Sequence, residues 1–195
     1  MAVTGKEPPG AMRNSVQEAL KQFARMPEER LHALQGTRVA ALEPSEPHEV
    51  FNLGLADLKA GNLARAKPVS WRFLLRQDDK VVASAEAVTD GGGARFSQFN
   101  KGPFVNSTAA ALESSRRLVG RDKSYEARVL HVPALYTMIL WLHDEQGNED
   151  VYVPLEPAPA GIEAGRSYSE GELFGILREK ASSIPDMGPD DRRGG

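Results

Sequence analysis

Residues 69–87 read VSWRFLLRQDDKVVASAEA, and this stretch decides the fold. Val69, Trp71, Phe73 and Leu75 fall on one side of an extended chain and Ser70, Arg72 and Leu74 on the other, the period of two that marks a strand. After the turn residues Gln77, Asp78 and Asp79 the chain alternates again, placing Val81, Ala83, Ala85 and Ala87 on one side. Setting Arg76 opposite Lys80 brings Leu75 against Val81, Phe73 against Ala83 and Trp71 against Ala85. Large side chains then meet small ones on one surface, so the hairpin predicts core.

Downstream, Asp90, Gly91, Gly92 and Gly93 read as a turn and 94–99 as a third strand, after which Asn106 or Ser107 caps a helix running through Val119. Three further strands are predicted at 125–132, 136–143 and 150–155, joined by a turn at Pro133 and the polar loop 144–149. A proline-rich connector leads to a last helix, where Ser169 and Glu172 form a capping box and Leu173, Phe174, Leu177 and Ala181 share one side. Upstream, a capping box of Ser15 and Glu18 predicts a helix over 14–25, and Pro27 opens a second helix that Gly36 ends. Residues 37–42 suit either a short strand or a helical turn, Pro44 and Pro47 bracket a loop, and Val50, Phe51, Leu53, Leu55 and Leu58 predict a helix closing near Gly61.

Short turns between neighbouring strands favour antiparallel pairing. The expected fold is therefore α+β: a single domain over 11–183, with an antiparallel sheet of about five or six strands and three or four helices packed mainly on one face. Segments 1–10 and 184–195, rich in Pro, Gly and small residues, read as flexible.

Composition narrows the function classes. With 24 Lys and Arg against 27 Asp and Glu the net charge is −3, which supplies no overall positive field for a phosphate backbone, so no nucleic-acid partner is expected. The absence of cysteine removes disulfides, thiolate catalysis and cysteine metal ligation. No apolar run is long enough for a bilayer and no signal-peptide pattern opens the chain, so a soluble, cytoplasmic protein is expected. Gly91, Gly92 and Gly93 lack the spacing of a phosphate-binding loop, 144–150 does not match a calcium loop, and no cofactor or metal is expected. Arg116, Arg117, Arg121 and Lys123 gather at a helix end, where they complement its dipole.

The chemistry is sought on the second strand group. With Trp141 opposite Tyr152 and Arg128 opposite Trp141, the residues Met138, Leu140, Leu142, Val151 and Val153 share an apolar side with Tyr125, Ala127, Val129 and His131. The other side then gathers Glu126, Arg128, Trp141, His143, Asp150 and Tyr152, the candidate site. His143 falls between two carboxylates, and Trp141 can stack on Arg128. The same pattern also suits ordinary cross-strand pairs on a solvated face. His131 reads as a core histidine, whereas His32 and His48 read as solvated. The favoured expectation is a non-catalytic binding domain that takes a protein partner, or its own copy as a homodimer, on this face. The alternative is a cofactor-independent hydrolase or isomerase with His143 as general base, Asp150 or Glu126 orienting it and Arg128 holding an anion.

Overall fold

The computed structural model of this chain describes residues 3–27, 34–118, 124–147 and 149–185. Among these, eight strands and four α-helices alternate as β1 (Val3–Gly5), α1 (Gly10–Phe23), β2 (Glu43–Asn52), α2 (Leu55–Lys59), β3 (Lys67–Gln77), β4 (Lys80–Asp90), β5 (Gly93–Asn100), α3 (Pro103–Leu118), β6 (Tyr125–Val132), β7 (Thr137–Asp144), β8 (Val151–Pro154) and α4 (Glu170–Ser182). The strands make one sheet in the order β5-β4-β3-β2-β6-β7-β8. All neighbours run antiparallel except at its centre, where β2 lies parallel to β6 and β1 pairs in parallel with the first residues of β6. The α+β class holds, with more strands than the five or six expected.

The β3/β4 hairpin turns on two residues, not three. Asp78 and Asp79 both take positive φ (48° and 62°), as a tight turn with right-handed strand twist requires. Gln77 faces Lys80 and Arg76 faces Val81; a bulge follows, and Leu75 meets Ala83, Phe73 meets Ala85 and Trp71 meets Ala87. Because of the bulge it is Val82 that joins the Trp71 layer, while Val81 packs on the far face. The large-against-small pairing survives at a register two residues further along β4.

The two extra strands come from segments whose patterns point elsewhere. β1 belongs to the stretch read as lying outside the domain, yet Val3 is buried and pairs with Tyr125. β2 contains Pro44 and Pro47, which argue for a loop. Both lie in the half of β2 that makes no ladder to β6, and Glu46 and Pro47 fall within an irregularity of its pairing with β3. The helix expected over 50–61 shrinks to the five residues of α2, since Val50 and Phe51 are ladder partners of Val129 and Leu130. Residues 39–41 form one turn of 3-10 helix. Most of the helix expected from Pro27 lies outside the described residues.

Helices cover both faces. On one, α1 places Met12, Val16, Ala19 and Leu20 over Trp71, Phe73 and Leu75. The other half of that face lies under α4, whose Leu173, Phe174 and Leu177 pack on Leu130, Ile139 and Tyr152, with Leu58 of α2 in the same cluster. On the opposite face α3 sets Val105, Ala111 and Leu112 among Leu74, Ala127, Leu140 and Leu142. α1 begins at Gly10, four residues before the predicted start, and Ser15 is no cap: its hydroxyl donates to the Met12 carbonyl inside the helix. α3 opens with Pro103 in its first turn, so Asn106 and Ser107 lie within the helix instead of capping it. The Ser169 cap of α4 forms as expected, its Oγ accepting from the Glu172 amide at 3.4 Å. No helix among the described residues is long and apolar enough to cross a membrane.

Candidate functional site

The strip predicted from the second strand group assembles in the expected register. Glu126 faces His143, Arg128 faces Trp141 and Trp141 faces Tyr152, all on one side of the sheet. Trp141, His143, Arg128, Glu126 and Asp150 are engaged with one another. Asp150 Oδ2 accepts from the Trp141 indole at 2.6 Å, its Oδ1 lies 3.1 Å from His143 Nδ1, and the Asp144 amide also donates to Oδ1. Arg128 Nε donates to Glu126 at 2.8 Å, and its guanidinium lies 4.9 Å from the Trp141 ring centre and 5.4 Å from that of Phe51. Tyr152 stacks on Trp141 with a 19° tilt and is wholly buried beneath Phe174 of α4. Burial, with the Asp150 charge beside it, pushes its phenol up from the ordinary tyrosine value. The strip is thus a set of cross-strand pairs flanked by a helix, in which the buried Tyr152 hydroxyl alone has no hydrogen-bond partner.

Across the sheet, on the α3 side, the alternation that buries Trp71 and Phe73 sends Ser70 and Arg72 of β3 and Ser84 and Glu86 of β4 into the interior. There they line a cavity of about 270 Å³ between the sheet and the start of α3. β2 adds Asn52, β6 His131, β7 Met138, and α3 closes the top with Phe104 and Val105. Arg72 is 4% exposed and bonded to one carboxylate oxygen: Glu86 Oε1 accepts its Nε at 3.0 Å and its Nη2 at 2.7 Å. Asn100 Nδ2 donates to the same oxygen at 3.3 Å. A charge can be held here because the opposite charge is held beside it.

The remaining polar groups are less well served. Arg72 Nη1 has only the Met138 sulfur, 3.4 Å away, and Glu86 Oε2 only the Ser70 hydroxyl at 3.4 Å. Ser84 is completely buried and its hydroxyl has no hydrogen-bond partner; Asn52 Oδ1 is likewise buried without one. Orphaned polar atoms are uncommon in folded interiors because each costs its full desolvation. Here two line the same cavity as an under-used guanidinium.

The histidines differ from their sequence reading. His48, expected to be solvated, is buried on β2 opposite Arg72, and burial, then the Arg72 and Arg116 charges, hold its imidazole down to about 3. His131 sits on the predicted apolar side, but half-buried at the cavity, where burial and Arg72 lower its pKa. Arg116 and Arg117 are paired with Glu46 and Glu113, while Arg121, Lys123 and His32 lie outside the described residues. The sequence signal for the cavity was present in the polar parity of Ser70, Arg72, Ser84 and Glu86. Single charged residues within a strand ordinarily mark a solvated face, and only the helix laid over this one reverses that. No group of three His, Asp or Glu side chains among the described residues is arranged to hold a metal. No family model matches the chain, and no curated protein or solved structure matches it.

Proposed function

We propose that this protein is a non-catalytic binding protein whose ligand is a small polar molecule seated in the cavity between the sheet and the N-terminal turn of α3. One observation carries the reading: Ser84, fully buried and with a hydroxyl that has no protein partner, is among the residues around a cavity of about 270 Å³ that Arg72 also lines. Pockets for small ligands combine apolar walls with a few convergent polar groups, and groups with displaced pKa values cluster in them. Val69, Phe104 and Val105 supply apolar wall, Arg72 and Ser84 the polar groups, and His131 the displaced titration. The cavity is small on the scale of ligand pockets, which favours a metabolite over a peptide.

Binding through the predicted strip has less to support it, because the Trp141 indole and His143 Nδ1 are engaged by Asp150 and Arg128 Nε by Glu126. A histidine general base has the contact it needs between His143 and Asp150, but among the described residues His143 is not part of the lining of the cavity beneath α3.

Saturation-transfer NMR with a deproteinised cell extract tests the proposal. At least one small metabolite should receive saturation from the protein, and Ser84→Leu, which fills the cavity, should abolish the transfer. An extract with no transferred signal, or a signal that survives Ser84→Leu in a folded variant, overturns it.

A further inference from the structure

The unmet hydrogen-bonding capacity of the cavity is of two kinds. Arg72 Nη1, facing only a thioether, and the Ser84 hydroxyl are donors that a carboxylate would satisfy, and the positive end of the α3 dipole closes the same space. Asn52 Oδ1, with no partner, and Glu86 Oε2, with one long contact from Ser70, are acceptors that an ammonium would satisfy. Val69, Phe104, Val105 and Met138 supply the apolar part of the lining. Buried charge at the floor is balanced, one guanidinium against one carboxylate, and the third charge of the lining, Lys101 at the exposed rim, donates its Nζ to the Gln35 carbonyl, so an anion or a cation alone would bring an uncompensated charge to that floor. A zwitterion brings none.

Resting on the cavity as the binding site, we infer that its ligand is a free α-amino acid with an apolar side chain, the carboxylate toward Arg72 and Ser84 and the ammonium toward Asn52 and Glu86. A sugar of similar size would present hydroxyls to the apolar wall and bring no charge to either member of the Arg72–Glu86 pair. A simple carboxylic acid would leave Asn52 Oδ1 unmatched, and an amine would leave Ser84 and Arg72 so.

Isothermal titration at pH 7 with three probes separates these cases: L-leucine, 4-methylpentanoate, which lacks the amine, and 3-methylbutylamine, which lacks the carboxylate. L-Leucine should bind, and each analogue should bind at least tenfold more weakly. Ser84→Ala should weaken L-leucine at least tenfold and leave 3-methylbutylamine unchanged, because the lost hydrogen bond is to the carboxylate alone. Asn52→Leu should weaken L-leucine and leave 4-methylpentanoate unchanged. An analogue that matches L-leucine, or L-leucine binding indifferent to Ser84→Ala, overturns the inference. If L-leucine fails to bind while the extract still yields a Ser84-dependent signal, the ligand class is wrong and the cavity remains the site. If both fail, both readings fall.

Discussion

Glu86 holds Arg72 through a single oxygen: Oε1 accepts Nε and Nη2 together, on adjacent strands, with the Arg72 side chain 4% exposed beneath α3. Removing one member therefore strands the other. Glu86→Ala should cost about 3 to 5 kcal/mol in urea unfolding, while Arg72→Met combined with Glu86→Leu should recover most of that loss. A double variant no more stable than Glu86→Ala would mean that the pair contributes more than mutual neutralisation.

Low pH should unfold this protein partly through His48. Its imidazole titrates at about 3 in the fold, because burial and the Arg72 and Arg116 charges oppose protonation, against about 6.5 in the unfolded chain. Between those values the unfolded state binds the extra proton, so stability is full above about pH 6.5 and falls as pH drops toward 3, by up to about 1.4 kcal/mol per pH unit. His131, lowered in the same direction, adds to the slope. Urea unfolding from pH 7 to 4 should show His48→Gln flattening this dependence; an unchanged slope would refute the assignment to His48.

Trp141 is the hub of the predicted strip, in contact with Phe51, Arg128, Tyr152 and Asp150. Trp141→Ala should lower stability by about 3 kcal/mol, the low end for loss of a large aromatic, because the ring is only partly buried. It should leave the small-metabolite signal in saturation-transfer NMR intact. Loss of that signal in a folded Trp141→Ala protein would move the site to the strip.

Gly5 is required by proximity. A Cβ there would lie 2.1 Å from the Pro47 carbonyl oxygen, a backbone atom that cannot step aside. Gly5→Ala should cost roughly 1 to 3 kcal/mol and raise amide exchange at Val3, Thr4 and Tyr125 as β1 loosens from β6. Unaltered exchange would show that β1 tolerates the shift.

How far the sequence could be read follows from the range over which each residue finds its partner. The strands 125–132, 136–143 and 150–155 have nearby partners across short turns, and their pairing of Arg128 with Trp141 and Trp141 with Tyr152 was legible to the residue. The β3/β4 hairpin was legible in its faces but not in its bulge, because alternation fixes parity and the Asp78–Asp79 turn geometry fixes register. β1 and β2 were not legible: the partners that make Val3 and Val50 strand residues, Tyr125 and Val129, lie far along the chain. The candidate residues on β6 to β8 were legible as a cluster. What escaped was that α4 would cover Tyr152 and that α3 would turn the Arg72 side of the sheet into an interior.

The parallel junction of β2 with β6 has a consequence for the order of assembly. The antiparallel ladders β2 to β5 and β6 to β8 each join strands that follow one another in the chain and can form early, whereas the β2/β6 pairing must bring together segments separated by that whole first meander and α3. Val50, Ser84 and Arg72 belong to the first group and His131 and Met138 to the second, so the cavity comes into being only when the two halves join. A molecule that fills it acts as a clasp across that seam, and its arrival would slow the parting of the halves more than the fraying of either one.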